Sequence, residues 1–182
     1  MTDSDLLRNL AILEGRYTVD DGGPTECGIT QSAWNKWCAF AHRVSTDVAT
    51  LTSQDVSDFY ILGYIKPLLL ADLPDGVDFC LFQWAVNHEF FGGVGPAVRD
   101  LQICVGASPD RVMGPETVAD ANAMDRIKLM ECLLARQEAW YQADAKASPD
   151  APLIGWETRI EKVREIVGLT KEEKGRSSSP ET

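Results

Sequence analysis

Three carboxyl groups near the beginning of the sequence could hydrolyse a glycosidic bond. Glu14 ends an apolar helical pattern, and Asp20 and Asp21 follow it in a polar, glycine-rich segment. Glycoside hydrolysis commonly uses two carboxyl groups, one that protonates the leaving oxygen and one that activates water or stabilises the oxocarbenium ion. Glu14 would be the acid, because a half-buried carboxyl in apolar surroundings is more easily kept protonated. Asp20 or Asp21 would stay ionised on the polar loop, and Thr25 would orient a water molecule.

The same segment also has a purely structural interpretation. Glu14 would then be a solvated acid at a helix end, and residues 20–23 would form an ordinary turn. The spacing of these residues alone favours this second interpretation, so the choice depends on the elements that position them.

These residues must be positioned by a series of helices that is interrupted once, by a polar segment. An amphipathic helix over residues 3–13 leads to Glu14, and turn formers between Tyr17 and Thr30 predict a small hairpin or loop. Further helices are predicted over 31–42, 52–65, 76–91, 96–105, a short stretch from Pro115, 124–147 and 153–168, with a short helix or turn at 45–51. The fold is therefore predicted to be mainly α.

The segment from Gly76 to Phe91 is apolar almost all round. A helix that is apolar on every face belongs in the centre of a domain. Its polar exceptions, Gln83 and Asn87, are four residues apart and share one stripe of the helix.

The composition excludes several classes of partner. The 182 residues suit one domain or two small lobes that share a core. A net charge of −11 argues against nucleic acid, since phosphate binding needs clustered Lys and Arg. No uncharged apolar run approaches the ~18 residues of a membrane span. The first ten residues lack the basic region and apolar core of a secretory signal.

The cysteines and histidines do not indicate a metal centre. Two His residues cannot form a His-rich site, and the five Cys residues are odd in number and lack CxxC spacing. Cys80, Cys104 and Cys132 lie in apolar helical patterns, so reduced and mostly buried thiols are expected rather than a disulfide framework. No metal and no organic cofactor is expected.

Five blocks of sequence, in order and at comparable spacing, resemble glycoside hydrolase family 108. These are phage and bacterial N-acetylmuramidases with a peptidoglycan-binding C-terminal region. The blocks are EGRY with DDGG and TECGIT (14–17, 20–23 and 25–30), AVN (85–87), LQ (101–102), GPET (114–117) and the set Gly155, Trp156, Arg159 and Val163. The resemblance implies a lysozyme-like helical bundle whose small N-terminal hairpin or loop lines the cleft.

The resemblance also implies roles for individual residues. Glu14 corresponds to the catalytic glutamate, and Tyr17 and Thr25 fall on positions that line the cleft. Asn87 falls on the asparagine of the central helix, where it either contacts substrate or holds the loop backbone from a buried position. Gln102 belongs to the C-terminal region and is a weaker candidate for substrate binding, because it more readily supports the fold there.

The implied organisation is a catalytic lobe over 1–73, a helical peptidoglycan-binding-like region over 74–169 packed on it, and a polar tail over 170–182. The implied activity is hydrolysis of the β-1,4 bond between N-acetylmuramic acid and N-acetylglucosamine, with peptidoglycan glycan strands as the partner. Without a visible signal peptide, a protein made in the cytoplasm would reach the cell wall as a phage lysis protein, or be carried in a phage particle with other virion proteins. A secretion-associated wall remodeller would share this chemistry.

Two departures from the family pattern favour a non-catalytic alternative. Arg16 replaces the second glycine of E-G-G-Y, and a cation beside Glu14 would favour the ionised carboxyl, the wrong form for an acid. The loop between Tyr17 and Thr25 is shorter than in the family, so the place of the second carboxylate stays open between Asp20 and Asp21. The alternative is a muramidase-like domain that serves as a structural or cell-wall-binding component of a virion.

Overall fold

The computed structural model describes residues 1–14, 18–20, 23–88, 93–147 and 153–169, with the backbone alone at 18–20, 23–26, 88, 153 and 154. These residues are mainly α-helical, as predicted. The helices are α1 (Asp3–Glu14), α2 (Gln31–Phe40), α3 (Ser53–Tyr60), α4 (Val77–His88), α5 (Val94–Val105), α6 (Pro115–Ala123), α7 (Arg126–Ala147) and α8 (Leu153–Ile166).

The predicted polar interruption contains a small antiparallel sheet. Its strands are β1 (Thr18–Asp20), β2 (Gly23–Glu26) and β3 (Ile29–Thr30), and they pair in the order β1-β2-β3. The hairpin expected between Tyr17 and Thr30 is therefore confirmed for its described residues.

Side-chain caps start the two helices that follow the sheet. The Thr30 hydroxyl accepts a hydrogen bond from the Ala33 N–H and begins α2 directly after β3. Thr52 forms a capping box with Asp55 at the start of α3, which settles the predicted choice between Thr52 and Ser53. Helix α3 then continues as a π-helical turn over Ile61–Ile65.

Helix α4 lies at the centre of the hydrophobic core, as its composition predicts. Seven of its apolar side chains are at most 1% exposed: Val77, Phe79, Cys80, Leu81, Phe82, Trp84 and Ala85. One core cluster includes residues from both predicted regions, among them Leu6 of α1 and Leu134 of α7. The division at residue 73 stays a prediction.

A disulfide corrects the expectation of reduced thiols. Cys104 of α5 and Cys132 of α7 are bonded, with their Cα atoms 5.9 Å apart. Each cysteine looks like a small apolar residue in its own helix, and only the packing of α5 against α7 brings the two together. Cys27, Cys38 and Cys80 remain thiols. Burial raises the pKa of the Cys80 thiol, which keeps it protonated.

Two expectations about absent features concern the described part of the chain. No helix there is long and apolar enough to cross a membrane. No group of three or more His, Cys, Asp or Glu side chains there could hold a metal ion. Arg16 and the tail over 170–182 lie outside the described residues.

Candidate functional site

Glu14 is the last residue of α1 and lies at the edge of the core. Leu6 and Leu10 are buried on the same face of the helix, and Glu14 continues their i, i+4 spacing. Its side chain is 17% exposed. The helix therefore holds a carboxyl group that is largely shielded from water, as the sequence predicts.

The turn between β2 and β3 presses against the Glu14 side chain. Cys27 and Gly28 have φ values of +50° and +81°, which suits the two central residues of a tight hairpin turn. A Cβ atom added at Gly28 would lie 2.8 Å from Oε2 and 2.9 Å from Cγ of Glu14. Glycine is required here both by the backbone conformation and by the space that the carboxyl group occupies.

The sequence Gly28-Ile29-Thr30 thus has three distinct structural tasks. Gly28 makes room for Glu14, Ile29 is 1% exposed in the core, and Thr30 caps α2. Together they lock the hairpin to the end of α1, so the Glu14 side chain has a defined neighbour on one side.

Tyr60, at the end of α3, is hydrogen-bonded to the same turn. Its hydroxyl donates a hydrogen bond of 2.7 Å to the Cys27 carbonyl. Burial and then the charge of Glu14 raise the pKa of Tyr60 well above its ordinary value, so the phenol stays protonated and remains a donor.

A cavity of about 310 Å³ lies beside this contact, between α1 and α3. Leu7 and Ala11 line it from α1, Val56 and Ser57 line it from α3, and it ends at Cys27. The cavity thus reaches the hairpin at Cys27, the residue before Gly28, while Glu14 itself is not among its lining residues.

An arginine from the last helix closes the other side of Glu14. The Nη2 atom of Arg159, in α8, donates to Oε1 of Glu14 at 2.6 Å, and the arginine side chain is 10% exposed. The two residues are 145 positions apart. Sequence analysis placed Arg159 in the last family-like block and assigned it no role; the cation it considered beside Glu14 was Arg16.

The polar stripe of α4 anchors that arginine. The Nε atom of Arg159 donates to Oε1 of Gln83 at 3.2 Å. Gln83 is fully buried and donates to the Cys80 carbonyl and to Oε1 of Gln137, at 3.1 Å and 2.7 Å. The Arg159 guanidinium is thus held both by Glu14 and by Gln83, whose amide group is itself hydrogen-bonded to Gln137.

The network extends through α7 to Asn87. Gln137 donates to the Tyr141 hydroxyl at 2.7 Å, and that hydroxyl donates to Oδ1 of Asn87. Trp156 of α8 stacks on Tyr141 with ring centroids 4.7 Å apart. Asn87 is therefore joined to Glu14 through hydrogen bonds from α4, α7 and α8, and its role toward substrate stays a prediction.

Gln102 does not join this network. It is 2% exposed, and its amide donates to Asp110 and to the Val112 carbonyl while its oxygen accepts from the Arg111 N–H. These bonds tie down the loop between α5 and α6, which agrees with the supporting role considered for it.

The remaining predicted site residues belong to the hairpin segment. Asp20 pairs with Gly23 between β1 and β2, and Thr25 pairs with Thr18 and Thr30; their side chains are not described. Tyr17 and Asp21 lie outside the described residues. Their roles stay predictions.

Comparisons with known proteins agree with this geometry. Residues 7–88 match the model of the glycosyl hydrolase 108 family. The chain is also similar to the solved structure of Brucella abortus SagA, with 26% sequence identity and a TM-score of 0.75 over 92% of this chain and 94% of that one. No curated protein matches the chain. The matched segment contains Glu14, the hairpin and all of α4, whereas Arg159 lies beyond it; residues 7–88 are thus similar to a glycosyl hydrolase 108 domain.

Proposed function

We propose that this protein hydrolyses the β-1,4 bond between N-acetylmuramic acid and N-acetylglucosamine in peptidoglycan, with Glu14 as the general acid. The observation that carries the proposal is the placement of Glu14 within the segment that matches the glycosyl hydrolase 108 family. Its carboxyl group is largely buried and is held between Gly28 and Arg159. Rigid placement of a shielded carboxyl group is what proton transfer to a glycosidic oxygen requires.

In the proposed reaction the protonated Glu14 carboxyl donates its proton to the oxygen that leaves the anomeric carbon. Asp20 or Asp21 stabilises the oxocarbenium ion or removes a proton from the incoming water. Water supplies the hydroxyl group of the new reducing end, and Glu14 regains a proton for the next cycle. The backbone pairing of Asp20 with Gly23 places Asp20 in the same three-stranded sheet as the β2–β3 turn that lies against Glu14.

A peptidoglycan digest tests the proposal. Turbidity of a purified peptidoglycan suspension is followed, and released fragments are reduced with borohydride and analysed for new reducing ends at N-acetylmuramic acid. Glu14→Gln is expected to lower the rate by at least about 100-fold, since general acid catalysis contributes that much or more. Glu138→Gln is the matched control, because Glu138 also pairs with an α8 arginine, Arg164, but is 42% exposed. Equal rates for both variants would contradict the role of Glu14.

The ion pair with Arg159 favours one alternative, a non-catalytic domain that binds cell walls. An arginine-bound carboxylate is the ionised form, which cannot donate a proton. Wild-type protein that releases no fragments yet sediments with peptidoglycan would support this alternative. Action at the cell wall, in phage lysis or within a virion, is part of the proposal, and fractionation of producing cells with an antibody to the protein tests it.

A further inference from the structure

Arg159 differs from the other paired arginines of the described residues in how firmly it is enclosed. Its side chain and that of Glu14 are 10% and 17% exposed, whereas Arg164, also of α8, and its partner Glu138 of α7 are 27% and 42% exposed. Exposed ion pairs contribute little because water screens them, but a shielded pair acts as a fixed local charge.

The position of this guanidinium is set independently of Glu14. Gln83 binds it through both its side-chain oxygen and its backbone carbonyl, at 3.2 Å and 3.5 Å. Gln83 cannot turn away, because its amide group is paired with Gln137 inside the core. A planar arginine fork held in this way dictates where a carboxylate oxygen can lie.

The two oxygens of Glu14 therefore have different surroundings. Arg159 binds Oε1, and Oε2 lies on the side of Gly28, where a Cβ atom would come within 2.8 Å of it. We infer that Arg159 is a positioning residue that holds Oε1 of Glu14 and leaves Oε2, beside Gly28, as the oxygen that exchanges the proton with substrate. This inference rests on the proposed function.

The fixed charge has a second effect on the same step. When Glu14 has given up its proton, Arg159 stabilises the carboxylate that remains, which lowers the barrier to donation. Among the described residues, the titratable groups that face Glu14 electrostatically, besides Arg159 of α8, include Tyr60 at the end of α3, Tyr64 in the turn after it and Tyr141 of α7. Burial raises the pKa of each tyrosine, so Arg159 is the charged one among these groups.

Kinetics of Arg159→Met and Arg159→Lys test the inference. Arg159→Met is expected to lower kcat by about 10- to 100-fold with a smaller change in KM, because misplacement of a reacting group by about 1 Å has that order of effect. Arg159→Lys keeps the charge but loses the planar fork, so it is expected to lower kcat as well, again with a smaller change in KM.

The control is Arg164→Met, which removes an exposed guanidinium from the same helix. If Arg159→Met has the same kcat as Arg164→Met, the inference is overturned. Thermal unfolding of each variant shows whether it folds; if Arg159→Met does not, the decision rests on Arg159→Lys, and wild-type kcat in that variant overturns the inference. Wild-type protein without hydrolytic activity would overturn the proposed function itself, an outcome distinct from an active enzyme in which only Arg159 proves dispensable.

Discussion

Substitution of Gly28 by alanine separates the need for an unusual backbone from the need for space beside the acid. Gly28 and Gly106 have similar φ values, +81° and +75°, but a Cβ at Gly106 would meet nothing within 4 Å. Alanine in the left-handed region costs about 1–2 kcal/mol at either position. At about 2–4 °C of melting temperature per kcal/mol for a protein of this size, each variant should melt about 2–8 °C lower than wild type.

Only Gly28→Ala should also disturb the carboxyl group. The new Cβ would stand 2.8 Å from Oε2 of Glu14, so the side chain must retreat by about 0.7 Å to reach an ordinary contact of about 3.5 Å. A displacement of that size in a reacting group lowers the rate by an order of magnitude or more, roughly 10- to 100-fold. The ion pair with Arg159 opposes this movement of the Glu14 side chain, so the structural change should stay within the site.

The assay measures kcat for peptidoglycan hydrolysis and the melting temperature of Gly28→Ala and Gly106→Ala side by side. We expect similar melting temperatures and a rate loss confined to Gly28→Ala. Equal activity in the two variants, with comparable stability, would show that the space at Gly28 does not matter to the acid and would refute the assignment of this turn to the site.

Two further predictions concern the frame around the site. Replacing both Cys104 and Cys132 with serine removes a disulfide that spans 28 residues. The chain-entropy relation gives a loss of about 3.6 kcal/mol in the free energy of unfolding. At ~2–4 °C per kcal/mol, the melting temperature should fall by roughly 7–14 °C. Wild type should show three thiols of its five cysteines when denatured without reductant, and a count of five would contradict the bond. Tyr60→Phe removes the hydrogen bond to Cys27 and should destabilise the protein by about 0.5–1.5 kcal/mol, because the part-buried Cys27 carbonyl loses its donor. The folded pKa of Tyr60 is raised above 10.0, so its stabilising effect is complete below pH 10 and is lost as the pH rises further. The free energy of unfolding should therefore fall less steeply with alkaline pH in Tyr60→Phe than in wild type. Equal slopes in the two proteins would contradict this prediction.

The helices were predictable because their signals are local. The all-apolar pattern of α4 predicted its central position, and the i, i+4 spacing of Gln83 and Asn87 predicted one polar stripe on it. The largest local error was the disulfide, because an apolar helical pattern does not distinguish a buried thiol from a cysteine facing a partner on another helix.

The site was predictable only in part. The apolar helix leading into Glu14 indicated a shielded carboxyl group, and the resemblance gave that residue a role. Arg16 drew attention as the nearby cation because it is adjacent in sequence, whereas the cation that the structure places on Glu14 is Arg159. The family-like block TECGIT includes Gly28, but it gave no indication that this residue contacts the acid.

The sequence by itself determined which segments are helical, which helix is central and which carboxyl group ends the first helix, because periodicity and capping act within a few residues of each position. Only the tertiary structure decided the surroundings of that carboxyl group: a glycine turn on one side and an arginine from 145 residues away on the other. Such contacts depend on how α1, α4 and α8 pack together, and packing is a property of the whole core that no single stretch of sequence carries.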